Sequence, residues 1–149
     1  MKILVDADAC PVKNIVEEVA TGYGLAVTMF IDTSHELRTS ASSIVMVDKG
    51  ADSADLALMN KASAGDIVVT QDFGLAALAL GKGCSVIRPD GFVFTDENIG
   101  QLLMERCISA KVRRAGGRSG HMKKRGREQD VTFREQFIRL CCSALNREI

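Results

Sequence analysis

Short apolar runs alternate with amphipathic stretches through the first 87 residues of the chain. Ile3, Leu4 and Val5 form a run suited to a strand covered on both faces. Val12, Ile15, Val16, Val19 and Ala20 then recur at helical spacing, with Lys13, Glu17 and Glu18 on the opposite side. Pro11 suits the first position of that helix, where an N–H is not needed, and Gly22 and Gly24 end it. Further strands are predicted at 26–31, 44–47, 67–70 and 84–87. Between them, the alanine and leucine content of Asp52 to Ala62 predicts a helix, and Phe73 to Leu80 reads as a small apolar helix stopped by Gly81 and Gly83. This alternation predicts a mainly parallel five-stranded sheet with helices on both faces, a three-layer α/β/α sandwich.

Beyond residue 87 the pattern changes. Phe92 to Phe94 suggests a short edge strand, and Thr95 or Asp96 is placed to cap a helix running to about Arg114. Residues 115–130 have four glycines and no periodicity. Thr132-x-x-Glu135 has the form of a capping box opening a last helix, whose apolar side is Phe133, Phe137, Ile138, Leu140, Cys141 and Leu145. The 149 residues, 46% of them hydrophobic, suffice for one core. The expected organisation is a single domain: an α/β core over 1–110, a basic glycine-rich loop over 111–130 and a C-terminal helix over 131–149.

The net charge of zero conceals an uneven distribution. Residues 1–110 carry 8 Lys and Arg against 15 Asp and Glu, a balance of −7, whereas residues 111–127 carry 8 against none, +8. An acidic body with a basic segment points to an anionic partner, or to a cation held by the acidic part. The longest clean apolar run, Leu75 to Leu80, is far short of a membrane span, so a cytoplasmic chain without membrane association is expected. Cys10, Cys84, Cys107, Cys141 and Cys142 include no C-x-x-C pair, and reduced, mostly buried thiols are expected rather than a zinc site.

Every predicted strand is followed closely by aspartate: Asp6 and Asp8, Asp32, Asp48, Asp72 and Asp90. In a parallel sheet these gather at one edge, where ligands of open α/β folds bind. Singly, each also serves as a helix cap or turn former, and Asp66 after Gly65 and Asp90 before Gly91 are read that way. Asp6, Asp8 and Asp72 stand apart, because capping needs one oxygen per helix while Asp6 and Asp8 already crowd the first turn, and Asp52 and Asp55, three apart on a predicted helix, share a face that can join them. Two carboxylates ~4 Å apart repel by about 4 kcal/mol at an effective dielectric near 20, so convergence calls for a proton or a hard cation. Mg²⁺ or Mn²⁺ fits all-oxygen ligands and leaves room for a substrate phosphate, which points to phosphodiester hydrolysis. Thr70 and Ser53 carry hydroxyls placed to hold a phosphate or a metal-bound water, or to bond the local backbone.

Four stretches carry a resemblance: Val5-Asp6-Ala7-Asp8-Ala9-Cys10-Pro11, Gly50-Ala51-Asp52-Ser53-Ala54-Asp55, Gly65 to Ala76 through Thr70-Gln71-Asp72-Phe73-Gly74, and Arg113-Arg114-Ala115-Gly116-Gly117-Arg118. The chain resembles the bacterial YaiI/YqxD family over nearly its whole length, and more widely the PIN-like domains, metal-dependent ribonucleases with acids at the strand ends. The resemblance implies Asp6 as the metal ligand after the first strand, Asp72 as the acid after the fourth, and Asp52 or Asp55 as the helix acid, where PIN domains commonly carry glutamate. The metal set so implied is Asp6, Asp55 and Asp72 with Mg²⁺ or Mn²⁺. The wider catalytic set is Asp6, Asp8, Asp52, Asp55 and Asp72. Asp8 and Cys10 belong to the smaller family's pattern, and 121–125 depart from it.

Lys111, Arg113, Arg114, Arg118, Lys123, Lys124, Arg125 and Arg127, interleaved with glycine, suit a phosphate backbone without reading sequence, or a solvated connection between helices. The expected partner is RNA or single-stranded DNA. Two other functions remain open: a haloacid-dehalogenase-like phosphatase with Asp6 as nucleophile and Asp8 as its acid/base partner, and a nucleic-acid-binding module without turnover.

Overall fold

The computed structural model describes residues 1–8, 10–32, 42–47, 53–114 and 126–147. The apolar runs form five parallel strands: β1 (Lys2–Asp6), β2 (Ala26–Asp32), β3 (Ser43–Val47), β4 (Ile67–Val69) and β5 (Ser85–Ile87). A two-residue strand β6 (Val93–Phe94) pairs antiparallel with β5 and supplies a sixth strand at the edge. The order is β3-β2-β1-β4-β5-β6. The chain winds outward from β1 through β2 and β3, then returns to β4 on the other side. The winding reverses between β1 and β4, and a crevice opens at the carboxyl ends of such neighbouring strands.

Side-chain alternation divides the core into two layers. Ile3 and Val5 of β1, Val27, Met29 and Ile31 of β2, and Ile67 and Val69 of β4 face the helices α1 (Lys13–Tyr23) and α5 (Arg127–Arg147). Those helices contribute Val16, Val19 and Ala20 from α1, and Phe133, Phe137, Cys141 and Ala144 from α5. Leu4, Phe30, Val68, Val86 and Phe94 point the other way, into α2 (Ser53–Lys61) and α3 (Phe73–Gly81) through Leu58, Leu75, Ala76 and Ala79. The last helix of that layer, α4 (Asp96–Arg114), rests on it through half-buried Ile99 and Leu102. The α/β/α sandwich expected from the alternation is therefore the observed one, with one more strand. No helix among the described residues is long and apolar enough to cross a membrane.

Local chemistry shifts three boundaries. Pro11 stands in the turn before α1, not in its first turn; Val12 is the N-cap, without a side-chain cap bond. The helix starts where Val12, Val16, Val19 and Ala20 reach the sheet. Thr95, not Asp96, caps α4: its Oγ1 accepts from Asn98 N–H at 3.2 Å while Asn98 Oδ1 accepts from Thr95 N–H at 2.8 Å. Thr132 is not a cap at all. α5 begins five residues earlier, where Gln129 Oε1 accepts from Gly126 N–H at 3.0 Å, and Thr132 lies within it with Oγ1 donating to Glu128 O at 2.9 Å. The expected loop over 111–130 is thereby shortened at both ends, since α4 reaches Arg114. That first turn of α5 is polar, so hydrophobic periodicity carries no sign of it.

The five cysteines are in no disulfide: Cys10, Cys84 and Cys141 are buried, Cys142 half-buried and Cys107 exposed. Burial, with Cys142 beside it, pushes the Cys141 thiol up to about 12, so it stays protonated in the core.

Gly91 makes the closest approach among the described glycines. Its φ is +94°, and a Cβ there would lie 2.6 Å from Thr132 Cγ2 and 2.9 Å from Phe133 N. The turn between β5 and β6 thus seats against the backbone of α5, and only glycine fits. Gly91→Ala is expected to destabilise the protein by roughly 2–4 kcal/mol. Gly22→Ala, in a helix with nothing within 4 Å of the new methyl, is expected to stabilise it by roughly 0.5–1 kcal/mol. Urea midpoints of the two variants check both signs.

Candidate functional site

Asp6 is the last residue of β1, and Asp72 follows the neighbouring β4 by three residues as the N-cap of α3. Thr70 lies between them. Its buried hydroxyl donates to Asp6 Oδ2 at 3.0 Å and accepts the Asp72 N–H at 3.0 Å, while its own N–H bonds Ile87 O on β5 at 3.1 Å. The threonine therefore fixes the Asp6 carboxylate relative to the start of α3. Asp72 Oδ1 caps that helix by accepting from Leu75 N–H at 3.1 Å. Among the described residues, Asp6 Oδ1 and Asp72 Oδ2 make no hydrogen bond, so each carboxylate presents one uncommitted oxygen.

Asp8, in the turn after β1, reaches sideways. Its carboxylate accepts the N–H of Asp32, the last residue of β2, with Oδ2 at 3.2 Å. Ala7 N–H meanwhile bonds Phe30 O at 3.0 Å, prolonging the β1–β2 ladder to the site. Burial raises Asp6 above the ordinary carboxylate value of 3.8; the Thr70 hydroxyl opposes this, and the charges of Asp8 and Asp72 add to it. A half-buried carboxylate with two anionic neighbours favours a cation.

The other aspartates separate by role. Asp66, at the opposite end of the sheet, accepts from Lys2 Nζ at 2.6 Å, Lys2 N–H at 3.1 Å and Ser63 N–H at 2.9 Å. Asp90 takes both Arg88 Nε at 2.9 Å and Arg88 Nη2 at 2.7 Å, and the Phe92 N–H at 3.1 Å. Both are structural ties, as their glycine neighbours suggest. Asp55 stands half-buried in the first turn of α2; among the described residues, the charges that raise Asp6 are those of Asp8 and Asp72. Asp48 and Asp52 lie outside the described residues.

Among the described residues no three His, Cys, Asp or Glu side chains form a cluster able to hold a metal by themselves. The donor set of Asp6, Asp72 and Thr70 is all oxygen with two carboxylates, which fits a hard, partly hydrated ion such as Mg²⁺ or Mn²⁺ rather than a fully protein-caged one. Of the basic residues, Lys111 is exposed on α4 and Arg113 and Arg114 close that helix. Arg118, Lys123, Lys124 and Arg125 lie outside the described residues.

One feature has no precedent in the spacing of the sequence. An open cleft of about 450 Å³ lies at the same sheet edge, lined by Phe73, Arg88, Leu102, Glu105, Arg106 and Ser109. These come from α3, the turn after β5, and α4, so only the packing of α4 on α3 assembles them.

The same two segments that build the site, 5–11 and 65–76, fall within the part of the chain matched by a family model described as "Uncharacterized BCR, YaiI/YqxD family", over residues 4–143. The chain is 51% identical to a UPF0178 protein of Ruminiclostridium cellulolyticum over 138 residues, 93% of this chain and 90% of that one. A UPF0178 protein of Clostridium kluyveri is 46% identical over 94% of this chain and 92% of its own. For one of Natranaerobius thermophilus the values are 46%, 90% and 91%. No solved structure matches. With the match running from β1 through α5, the sheet, its acidic edge and the closing helix together make this chain a member of the YaiI/YqxD family.

Proposed function

We propose that the protein is a divalent-metal-dependent nuclease that hydrolyses phosphodiester bonds of RNA or DNA at the carboxyl edge of β1 and β4. The observation that carries this reading is the Asp6–Thr70–Asp72 linkage: two carboxylates held by one buried hydroxyl, each with an oxygen to spare, at the reversal point of a parallel sheet. Asp6 and Asp72 are the residues that would hold Mg²⁺ or Mn²⁺, with Asp55 or Asp52 as a further acid. A hard cation bound there supplies charge neutralisation at the phosphoryl oxygen and acidity to a coordinated water.

The chain's own contribution is positioning. Thr70 orients Asp6, and the cap bond of Asp72 to Leu75 N–H sets the second carboxylate against the rigid start of α3. Asp8 anchors the loop that follows Asp6 to the end of β2, so that Asp6 cannot withdraw from the edge. The acidic body repels a polyanion in general, and the basic residues from Lys111 onward offset that repulsion for an approaching strand.

Two measurements test the proposal. Calorimetric titration of Mn²⁺ into the wild type is expected to give a binding isotherm that Asp72→Asn weakens by at least about tenfold. Labelled single-stranded RNA and DNA are expected to be cut with Mg²⁺ or Mn²⁺ and left intact with EDTA. Strand binding without cutting in either metal would leave a non-catalytic module, and a phosphoryl group trapped on Asp6 would make the protein a phosphatase.

A further inference from the structure

We infer that the cleft between α3 and α4 is a strand-binding subsite, in which Arg106 grips one phosphodiester and the Phe73 ring supports the adjoining nucleobase. This deepens the nuclease reading and rests on it for the identity of the strand.

Arg106 is the residue that singles the cleft out. Its guanidinium lies 5.3 Å from the centroid of the Phe73 ring, is exposed, and makes no hydrogen bond or ion pair among the described residues. Arg88, the other arginine lining the cleft, is occupied: it is clamped to Asp90 by two bonds and lies 4.8 Å over Phe92. A guanidinium held over an aromatic face keeps its in-plane N–H fork, and that fork matches two oxygens of a phosphate. The ring is itself held in place, since Phe73 packs edge-on against buried Phe94 at 5.6 Å. It offers a fixed apolar surface of the kind on which single-stranded bases stack.

Position and charge agree with this ligand. Phe73 is the residue after Asp72 and Arg88 the residue after β5, so the cleft opens at the carboxyl edge beside the carboxylates. Ser109 adds a hydroxyl from the same helix as Arg106, and Lys111, two residues on along α4, opens the basic segment 111–127. Glu105 shares the cleft, bonded by Gln101 Nε2 at 3.2 Å, and its charge disfavours a polyphosphate while tolerating a singly charged phosphodiester.

Fluorescence anisotropy of a short labelled single strand, DNA or RNA, in EDTA tests the inference without cleavage. Arg106→Ala is expected to weaken binding about tenfold and to lower the slope of log K against log salt by about 0.7, one phosphate's share. Phe73→Leu is expected to weaken binding at least about fivefold with the slope unchanged. Among the described residues Arg106 has no hydrogen bond or ion pair to lose, only its exposed contact with the Phe73 ring, so its variant should melt within a few degrees of the wild type, and Arg106→Lys should keep the slope. Unchanged affinity and slope in Arg106→Ala overturn the subsite, even if the wild type cleaves. A wild type that binds through Arg106 yet cuts nothing with Mg²⁺ or Mn²⁺ keeps the subsite and removes the nuclease reading.

Discussion

Asp6→Asn is expected to abolish metal-dependent cleavage while making the metal-free protein more stable at neutral pH. The loss should be at least about 100-fold, since even residues that only orient a metal ligand cost 10- to 100-fold on removal. The gain in stability follows from the sign of the Asp6 shift. Its folded value lies above 3.8, raised first by burial and then by Asp8 and Asp72 against the pull of Thr70, so the folded state binds the proton more tightly than the unfolded chain. The wild type is therefore stabilised as pH falls through the raised folded value toward 3.8, and carries an unfavourable charge above it. Asparagine removes that charge and keeps an oxygen for the Thr70 hydroxyl. Thermal melts in EDTA should show Asp6→Asn above wild type at pH 7, with the gap closing toward pH 3.8. Metal affinity should fall in the wild type over that same acid window, because the proton competes for the ligand. A variant that loses both activity and stability at pH 7 would make Asp6 a structural residue.

Phe137→Ala is expected to cost about 3–5 kcal/mol, the largest stability loss of any change considered. Phe137 is fully buried and stacks on Phe133, centroids 5.3 Å apart, in the layer that joins α5 to β1, β2 and α1. Its cluster also holds Ile3, Val16 and Val19, which belong to a strand and a helix already packed, so the surroundings relax only partly into the space. For a chain of this size the loss should lower the melting temperature by roughly 10 °C or more. Leu145→Ala, at a half-buried position of the same helix, should cost much less. Equal effects of the two would show that α5 is not seated on the sheet through its aromatic pair.

The residues behind these two predictions differ in how openly the sequence displays them. Phe133, Phe137 and Cys141 repeat at intervals of four, so their burial can be read from spacing. The start of α5 cannot, because Arg127 to Asp130 are polar and the helix there rests on the Gly126–Gln129 bonds. Thr132 misleads for the same reason: Thr-x-x-Glu has the form of a cap wherever it falls, and only the backbone shows that a helix is already under way. Pro11 likewise suits either a first turn or the turn before it. The acids are legible as a group, since each follows a strand. Their division into Asp6, Asp8 and Asp72 on one side and the tied Asp66 and Asp90 on the other depends on which backbone N–H or cation each carboxylate meets.

What the sequence alone determined is the architecture. Strand and helix periods, glycine stops and two-sided apolar runs allow one layered arrangement of a parallel sheet, and that arrangement carries the described strand-end aspartates, Asp6, Asp8, Asp32, Asp72 and Asp90, to one edge. The tertiary structure alone decided which groups meet there. Thr70 bridges Asp6 and Asp72 because β1 and β4 are neighbours although 64 positions separate Thr70 from Asp6. Arg106 meets Phe73 because α4 folds back over α3. Period and propensity are local properties of a chain, whereas a hydrogen bond or a cation over a ring is set by distances between segments that only packing brings together.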